Sequence, residues 1–156
     1  MFKLILMKSL LSSICFLIFF SISTKSQVKN QPHFNHLTVY VTDLARSAKF
    51  YQLVMLQDTI PEPFHDGRHV WFKITEHGEL HVVSGSKEDI AHDINIHLAF
   101  SVPNLHDFMK HLDLMSLKYG NWAGDQGKPQ IRPDNISQIY LQDPDGYWIE
   151  VNDDKF

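Results

Sequence analysis

The sequence repeats itself, and the repeat limits what the chain can fold into. HLTVYVTDL from His36 aligns with HLAFSVPNL from His97, an offset of 61 residues, with a shared His-Leu start, a shared Val five residues on and a shared Leu eight residues on. In each copy an alternating apolar stretch leads into an amphipathic one and then into three short strand-like segments. Two similar units of strand, helix and three strands are predicted, and the fold class is therefore α+β.

In the first copy Leu37, Val39 and Val41 fall on one face of a strand over Phe34 to Thr42, with His36, Thr38 and Tyr40 on the other. Asp43 caps a helix from Leu44 to Val54, and its apolar stripe should cover the Leu37/Val39/Val41 face. Pro61 and Pro63 demote Asp58 to Phe64 to an irregular edge strand. Arg68 to Thr75 and Glu79 to Ser84 then form a hairpin around His77-Gly78, with Leu80 and Val82 on one side and Glu79, His81 and Val83 on the other.

Gly85 to Asp93 is a polar linker, after which the pattern restarts. Ile94 to Val102 reads as a strand with Ile96, Leu98, Phe100 and Val102 on one face and Asn95, His97, Ala99 and Ser101 on the other. Asn104 caps a helix carrying Leu105, Phe108, Met109 and Leu112. Leu117 to Trp122 predicts a strand, and Gly120 to Asn135 a long loop of the kind that often covers a site. The chain closes on a hairpin, Gln138 to Asp153, turned by Asp143-Pro144-Asp145-Gly146. In its second strand Tyr147, Ile149 and Val151 point one way while Trp148, Glu150 and Asn152 point the other.

The ends of the copies correspond too: Leu80-His81-Val82 matches Ile149-Glu150-Val151. His36, His81, His97 and Glu150 thus occupy two pairs of equivalent places, each on the strand face opposite the helix-covered one. Taken singly each is an ordinary surface residue. Together they predict a metal site of three imidazoles and one carboxylate, which should converge if the copies pack about a pseudo-twofold axis. Such a site can polarise a substrate oxygen or lower the pKa of bound water. The other histidines, His33, His65, His69, His77, His92, His106 and His111, read as solvated.

Composition narrows the function. Met1 to Ser26 reads as an export signal, with Lys3 and Lys8 before an apolar core from Leu10 to Ile22 and small residues after it; cleavage fits after Ser23 or Ser26, with Ser26 preferred. The expectation is a periplasmic or secreted protein with no stable membrane anchor. Residues 27–156 should then form a single domain of two modules, about 33–85 and 93–153. Cleavage at Ser26 removes three of the 14 basic residues and none of the 18 acidic ones, leaving a formal charge of −7. That balance argues against nucleic acid and for a small-molecule partner. The one Cys, Cys15, goes with the leader, so any metal must be held by His and carboxylate. Neither a Ser-nucleophile motif nor a Gly-rich phosphate loop occurs.

On HLTVYVTDLARSAKFY and DPDGYWIEV the chain resembles the vicinal oxygen chelate superfamily, which includes glyoxalase I, extradiol dioxygenases, fosfomycin-resistance thiol transferases and bleomycin-binding proteins. The resemblance runs from Phe34 to Asp153. It implies paired βαβββ modules, the glyoxalase-type fold, forming a curved-sheet cleft, with the four ligand positions at His36, His81, His97 and Glu150. It also implies a homodimer and one divalent ion: Zn, Ni or Co for a glyoxalase I-like lyase in which Glu150 moves the proton, Fe for an extradiol dioxygenase with a His36/His97/Glu150 triad. Glyoxalase I usually has Glu where this chain has His81. Its glutathione-binding Arg and Asn positions are Tyr40 and Gly85 here, which leaves Arg68, Lys128 or Arg132 for an acidic substrate. Tyr140 falls where the dioxygenases keep a Tyr beside the metal, and Trp148 shares the Glu150 face. Tyr40, Arg68, Arg132, Tyr140 and Trp148 are the expected substrate-binding residues. A bleomycin-resistance type binding protein is the non-catalytic alternative.

Overall fold

The computed structural model describes residues 32–87 and 91–155. Its elements run β1 (His36–Val41), α1 (Leu44–Leu53), β2 (Asp58–Ile60), β3 (His69–Lys73), β4 (Glu79–Ser84), β5 (His97–Ser101), α2 (Leu105–Leu114), β6 (Gln130–Ile131), β7 (Ser137–Gln142) and β8 (Trp148–Asn152). The export signal predicted from the sequence lies outside the described residues. Among the described residues no helix is long and apolar enough to cross a membrane.

Each copy folds as its own four-stranded mixed sheet with one helix, in the orders β1-β4-β3-β2 and β5-β8-β7-β6. The helix after β1 reverses the chain, β2 to β4 meander antiparallel, and β4 returns parallel to β1. The duplication extends to register: Thr38 lies opposite His81 and Ala99 opposite Glu150, while Trp71 lies opposite His81 and Tyr140 opposite Glu150. The apolar faces pack with the helices into one core that includes Val39, Val41, Tyr51, Leu80, Val82, Leu112, Ile139, Ile149 and Val151. Each such aliphatic chain contributes about 1.5–3 kcal/mol by leaving water.

Both predicted caps form, with Asp43 Oδ1 accepting from the Arg46 N–H and Asn104 Oδ1 from that of Asp107. The stretch Gly120 to Asn135, expected as a loop, contains β6, which pairs with β7, and three further details depart from the sequence reading. Asp93 holds Asn95 and Ile96 in a turn, so β5 starts only at His97 and Ile96 is left 76% exposed. Leu37 is also exposed, because the helix covers Val39 and Val41 instead. Leu117 to Trp122 is not a strand. There the chain tightens into a turn in which Asp125 N–H bonds to Asn121 Oδ1 and Gly127 N–H to Tyr119 O, leaving isolated bridges from Gly120 to Gln126 and to Tyr140.

The last hairpin's turn is a clasp on the first module. Asp145 Oδ1 accepts from Thr42 N–H and Thr42 Oγ1, both at 2.7 Å, and from Arg46 Nη2 at 3.2 Å, while its other oxygen accepts from buried Ser47. Asp143 Oδ2 accepts from the Tyr51 hydroxyl at 2.8 Å. Ser47 and Tyr51 stand one helical turn apart on α1, so one helix face meets both carboxylates.

The two carboxylates pull stability in opposite directions with pH. Burial raises the Asp145 pKa, but the bonds from Ser47 and Thr42 and the Arg46 charge outweigh it, and the net shift is downward. Its contribution is therefore full above the ordinary carboxylate pKa and is lost as pH falls through the lowered folded value. Burial holds Asp143 above its ordinary value, so its contribution is lost instead as pH rises through the raised one. Urea unfolding across pH 2 to 7 should find Asp145→Asn about 2–4 kcal/mol less stable than the parent near neutrality, with the two curves converging in acid. Parallel curves would show that Asp145 is not the charged member of the clasp.

Candidate functional site

Glu150 sits in the centre of its sheet, between β5 and β7, on the face away from α2, and its side chain is only 8% exposed. An ionised carboxylate there needs partners. Register supplies them: Tyr140, directly opposite, donates its hydroxyl to Oε2 at 2.7 Å, and Asn152, two residues along, donates its amide to Oε1 at 2.8 Å. Arg132 Nη1 lies 3.7 Å from Oε1 while Nη2 bonds Asp134. The network continues outward: Gln138 donates to the Tyr140 hydroxyl at 2.9 Å, and Ser101 donates to Asn152 Oδ1 at 2.9 Å. Burial first, and then the bond to Glu150, push the Tyr140 phenol well above its ordinary range. It remains a proton donor to Glu150 at any working pH.

His97 faces the same carboxylate. Its Nδ1 lies 2.7 Å from the Ile94 carbonyl, which can only accept, so Nδ1 carries a proton. Nε2 faces Glu150 Oε2 at 3.4 Å. In the neutral ring Nε2 holds a lone pair, and a cation between it and the carboxylate would satisfy both.

In the first module His36 Nδ1 lies 2.7 Å from Asn35 Oδ1, an arrangement that again frees Nε2 as a ligand. His81 behaves differently. Its ring is stacked between Trp71, at 3.8 Å and 2° from parallel, and His36, at 4.2 Å and 10°. Its Nε2 is bonded to Glu79 at 2.8 Å.

The structure therefore brings His36 to His81 and His97 to Glu150. Among the described residues no three His, Cys, Asp or Glu side chains gather as a metal-holding group. Within one chain the four predicted ligands stand as two separate pairs. Their chemistry suits a divalent ion in three cases, two imidazoles oriented through Nδ1 and a carboxylate. His81 suits it only if it leaves Glu79.

The other predicted residues divide. Tyr140 is a direct partner of Glu150, and Arg132 is its nearest cation. Trp148 donates its indole N–H to His92 O at 2.9 Å. Tyr40 is half-exposed, its hydroxyl resting where a side chain at Gly85 would go, and its backbone N–H bonds the Tyr147 hydroxyl. Arg68 is exposed, 3.4 Å from the Ser84 carbonyl. Three histidines read as solvated are not: His69 stacks on Phe64 and holds Asp66, His92 stacks on Tyr147, and His111 reaches the Leu53 and Val54 carbonyls at the end of α1. Gln138, Trp71 and Glu79 were missed as site partners. The two-residue period from Tyr140 and His81 places Gln138 and Glu79 on the right face, but not their bonds, and Trp71 meets His81 only through the register of the neighbouring strand.

A model of the Glyoxalase/Bleomycin resistance protein/Dioxygenase superfamily matches residues 33–151. Among solved structures, a glyoxalase family protein from Bacillus anthracis is 23% identical, with a TM-score of 0.64 over 81% of this chain and 98% of that one. Lactoylglutathione lyase from Agrobacterium tumefaciens is 17% identical, with a TM-score of 0.59 over 80% of this chain and 96% of its own. The fosfomycin resistance protein FosX from Listeria monocytogenes is 15% identical, with a TM-score of 0.62 over 81% and 97%. At these identities the likeness is one of fold. No curated protein sequence matches the chain.

Proposed function

The chain belongs to the glyoxalase/bleomycin resistance protein/dioxygenase superfamily, and on that premise we propose an exported, metal-dependent lyase or isomerase that moves a proton on a small oxygen-chelating substrate of the 2-oxoaldehyde or thiol-adduct type. The observation that carries this reading is the Glu150 carboxylate, buried and held by Tyr140 and Asn152, with one oxygen facing Nε2 of His97. A carboxylate fixed in this way can take a proton from one substrate carbon and return it to the next. Tyr140 and Asn152 fix its direction, and the apolar sheet behind it keeps water out.

His36, His97 and Glu150 would hold the ion, which when bound supplies Lewis acidity to substrate oxygens. The two pairs of residues would complete each other in a homodimer. In support, β1 and β5, which carry His36 and His97, are each an edge strand of a separate sheet. A second copy can lie along such an edge.

One observation favours a second reading, an Fe(II) ring-cleaving dioxygenase. His81 is taken up by Glu79 and Trp71, which leaves two histidines and one carboxylate as ligands, the set found in non-haem iron oxygenases. Elemental analysis of the untagged protein beside Glu150→Ala separates the readings. About one Zn, Ni or Co per chain, reduced in the variant, is expected for the lyase. Iron, with oxygen uptake on catechols, would move the dioxygenase ahead. No metal after incubation with each ion would overturn both and leave a binding protein.

A further inference from the structure

A cleft of about 1050 Å³ opens beside the Glu150 site, between the His92–Ile94 segment and the turn around Trp122. Three of its lining residues touch the candidate machinery. Tyr140 bonds Glu150, the Ile94 carbonyl orients His97, and Trp148 lies opposite His97 in the sheet. The cleft thus adjoins the site through these three residues, although neither Glu150 nor His97 lines it. A three-carbon oxoaldehyde would occupy a small fraction of it, whereas pockets of about 300–1,000 Å³ accommodate drug-sized ligands.

Its walls are mostly aromatic and amide. Tyr119, Tyr140, Trp148 and Trp122 line it with Asn121, and Asp93 and Lys118 are its two charged lining residues. Trp122 is the informative one: a large indole, 53% exposed, on the rim. The turn beneath it is rigid. Asn121 and Asp125 bond each other through backbone and side chains, Trp122 N–H donates to Gln130 Oε1 at 2.8 Å, and Gly124 takes a φ of +94°. Gly120 packs so closely that a Cβ there would lie 2.6 Å from the Asp125 carbonyl. An exposed indole on a loop held this firmly is a preorganised stacking surface, which loses little entropy when a flat ligand settles on it.

Resting on the proposed function for the position of the reacting end, we infer that the substrate carries a flat body of two or more fused or linked rings. That body lies in this cleft against Trp122, and its oxygens extend past Tyr140 to Glu150. Trp122 is a binding residue for it.

A probe with the body but without chelating oxygens tests this independently of metal and chemistry. Isothermal titration of the intact chain with 1-naphthol should give a Kd of about 0.1 mM or tighter, and phenol should bind at least about tenfold more weakly. Trp122→Ala should weaken 1-naphthol about tenfold, and Trp122→Phe should largely restore it. Treatment of the same chain with EDTA should leave its affinity unchanged, so a failed proposed function would show in the metal analysis and not here. Equal affinity for phenol and 1-naphthol, or no effect of Trp122→Ala, would overturn the inference. So would a sedimentation shift showing that Trp122→Ala instead dissociates a dimer, which would make the cleft an interface between copies.

Discussion

Glu150→Gln should lower kcat/KM about a thousandfold once a turnover substrate is in hand, with the fold intact by circular dichroism. General acid–base catalysis by one placed group is worth about 10²–10⁴, and the isosteric amide removes that group while filling the same space. Most of the loss should fall on kcat, because the proton is moved only after the substrate is bound. The amide also presents one carbonyl where the carboxylate offers two oxygens, so either the Tyr140 hydroxyl or the Asn152 amide loses its acceptor. Tyr140→Phe is the comparison that separates chemistry from positioning. It leaves the carboxylate in place and deletes one bond to it, so it should cost about tenfold at most. If Glu150→Gln and Tyr140→Phe fall equally and by less than about tenfold, Glu150 is part of a binding surface and the lyase reading fails.

The parts of this architecture that follow from period and capping were legible in the chain. His36 and His97 open strands that alternate cleanly, Asp43 and Asn104 cap the helices after them, and Asp143-Pro144-Asp145-Gly146 can hardly be anything but a hairpin turn. What could not be read is how side chains on one face choose among partners. His81 sits at the position equivalent to Glu150, yet it turns to Glu79, two residues away in its own strand, and stacks on Trp71. Both outcomes satisfy the same alternation. The clasp was similarly hidden: nothing in the helix Leu44 to Val54 marks Ser47 and Tyr51, and only the docking of a turn nearly a hundred residues later gives them their bonds. Leu117 to Trp122 was misjudged because β-forming residues sit there, while Gly120 and Asn121 decide the backbone through local hydrogen bonds.

Mixing two inactive variants should restore activity, and this result bears most directly on whether the two pairs of residues meet between copies. In one chain His36 and His97 lie on edge strands of different sheets, and no three candidate ligands gather among the described residues. If the site forms between copies, His36→Ala homodimers lack that ligand in both sites, and Glu150→Gln homodimers lack the carboxylate in both. In a heterodimer the two lesions fall together in one site, and the other receives His36 from one chain and Glu150 from its partner. Equal mixing with subunit exchange makes about half of the dimers hybrid, each with one of its two sites intact, so activity should return to about a quarter of the parent's. Pairing within a chain gives a different outcome, because every chain in the mixture then carries a broken site and activity stays at the level of the variants. Mixing His97→Ala with Glu150→Gln is the internal control. Both residues belong to the same module, so any site built between copies still takes its second half from one damaged chain, and no recovery should appear.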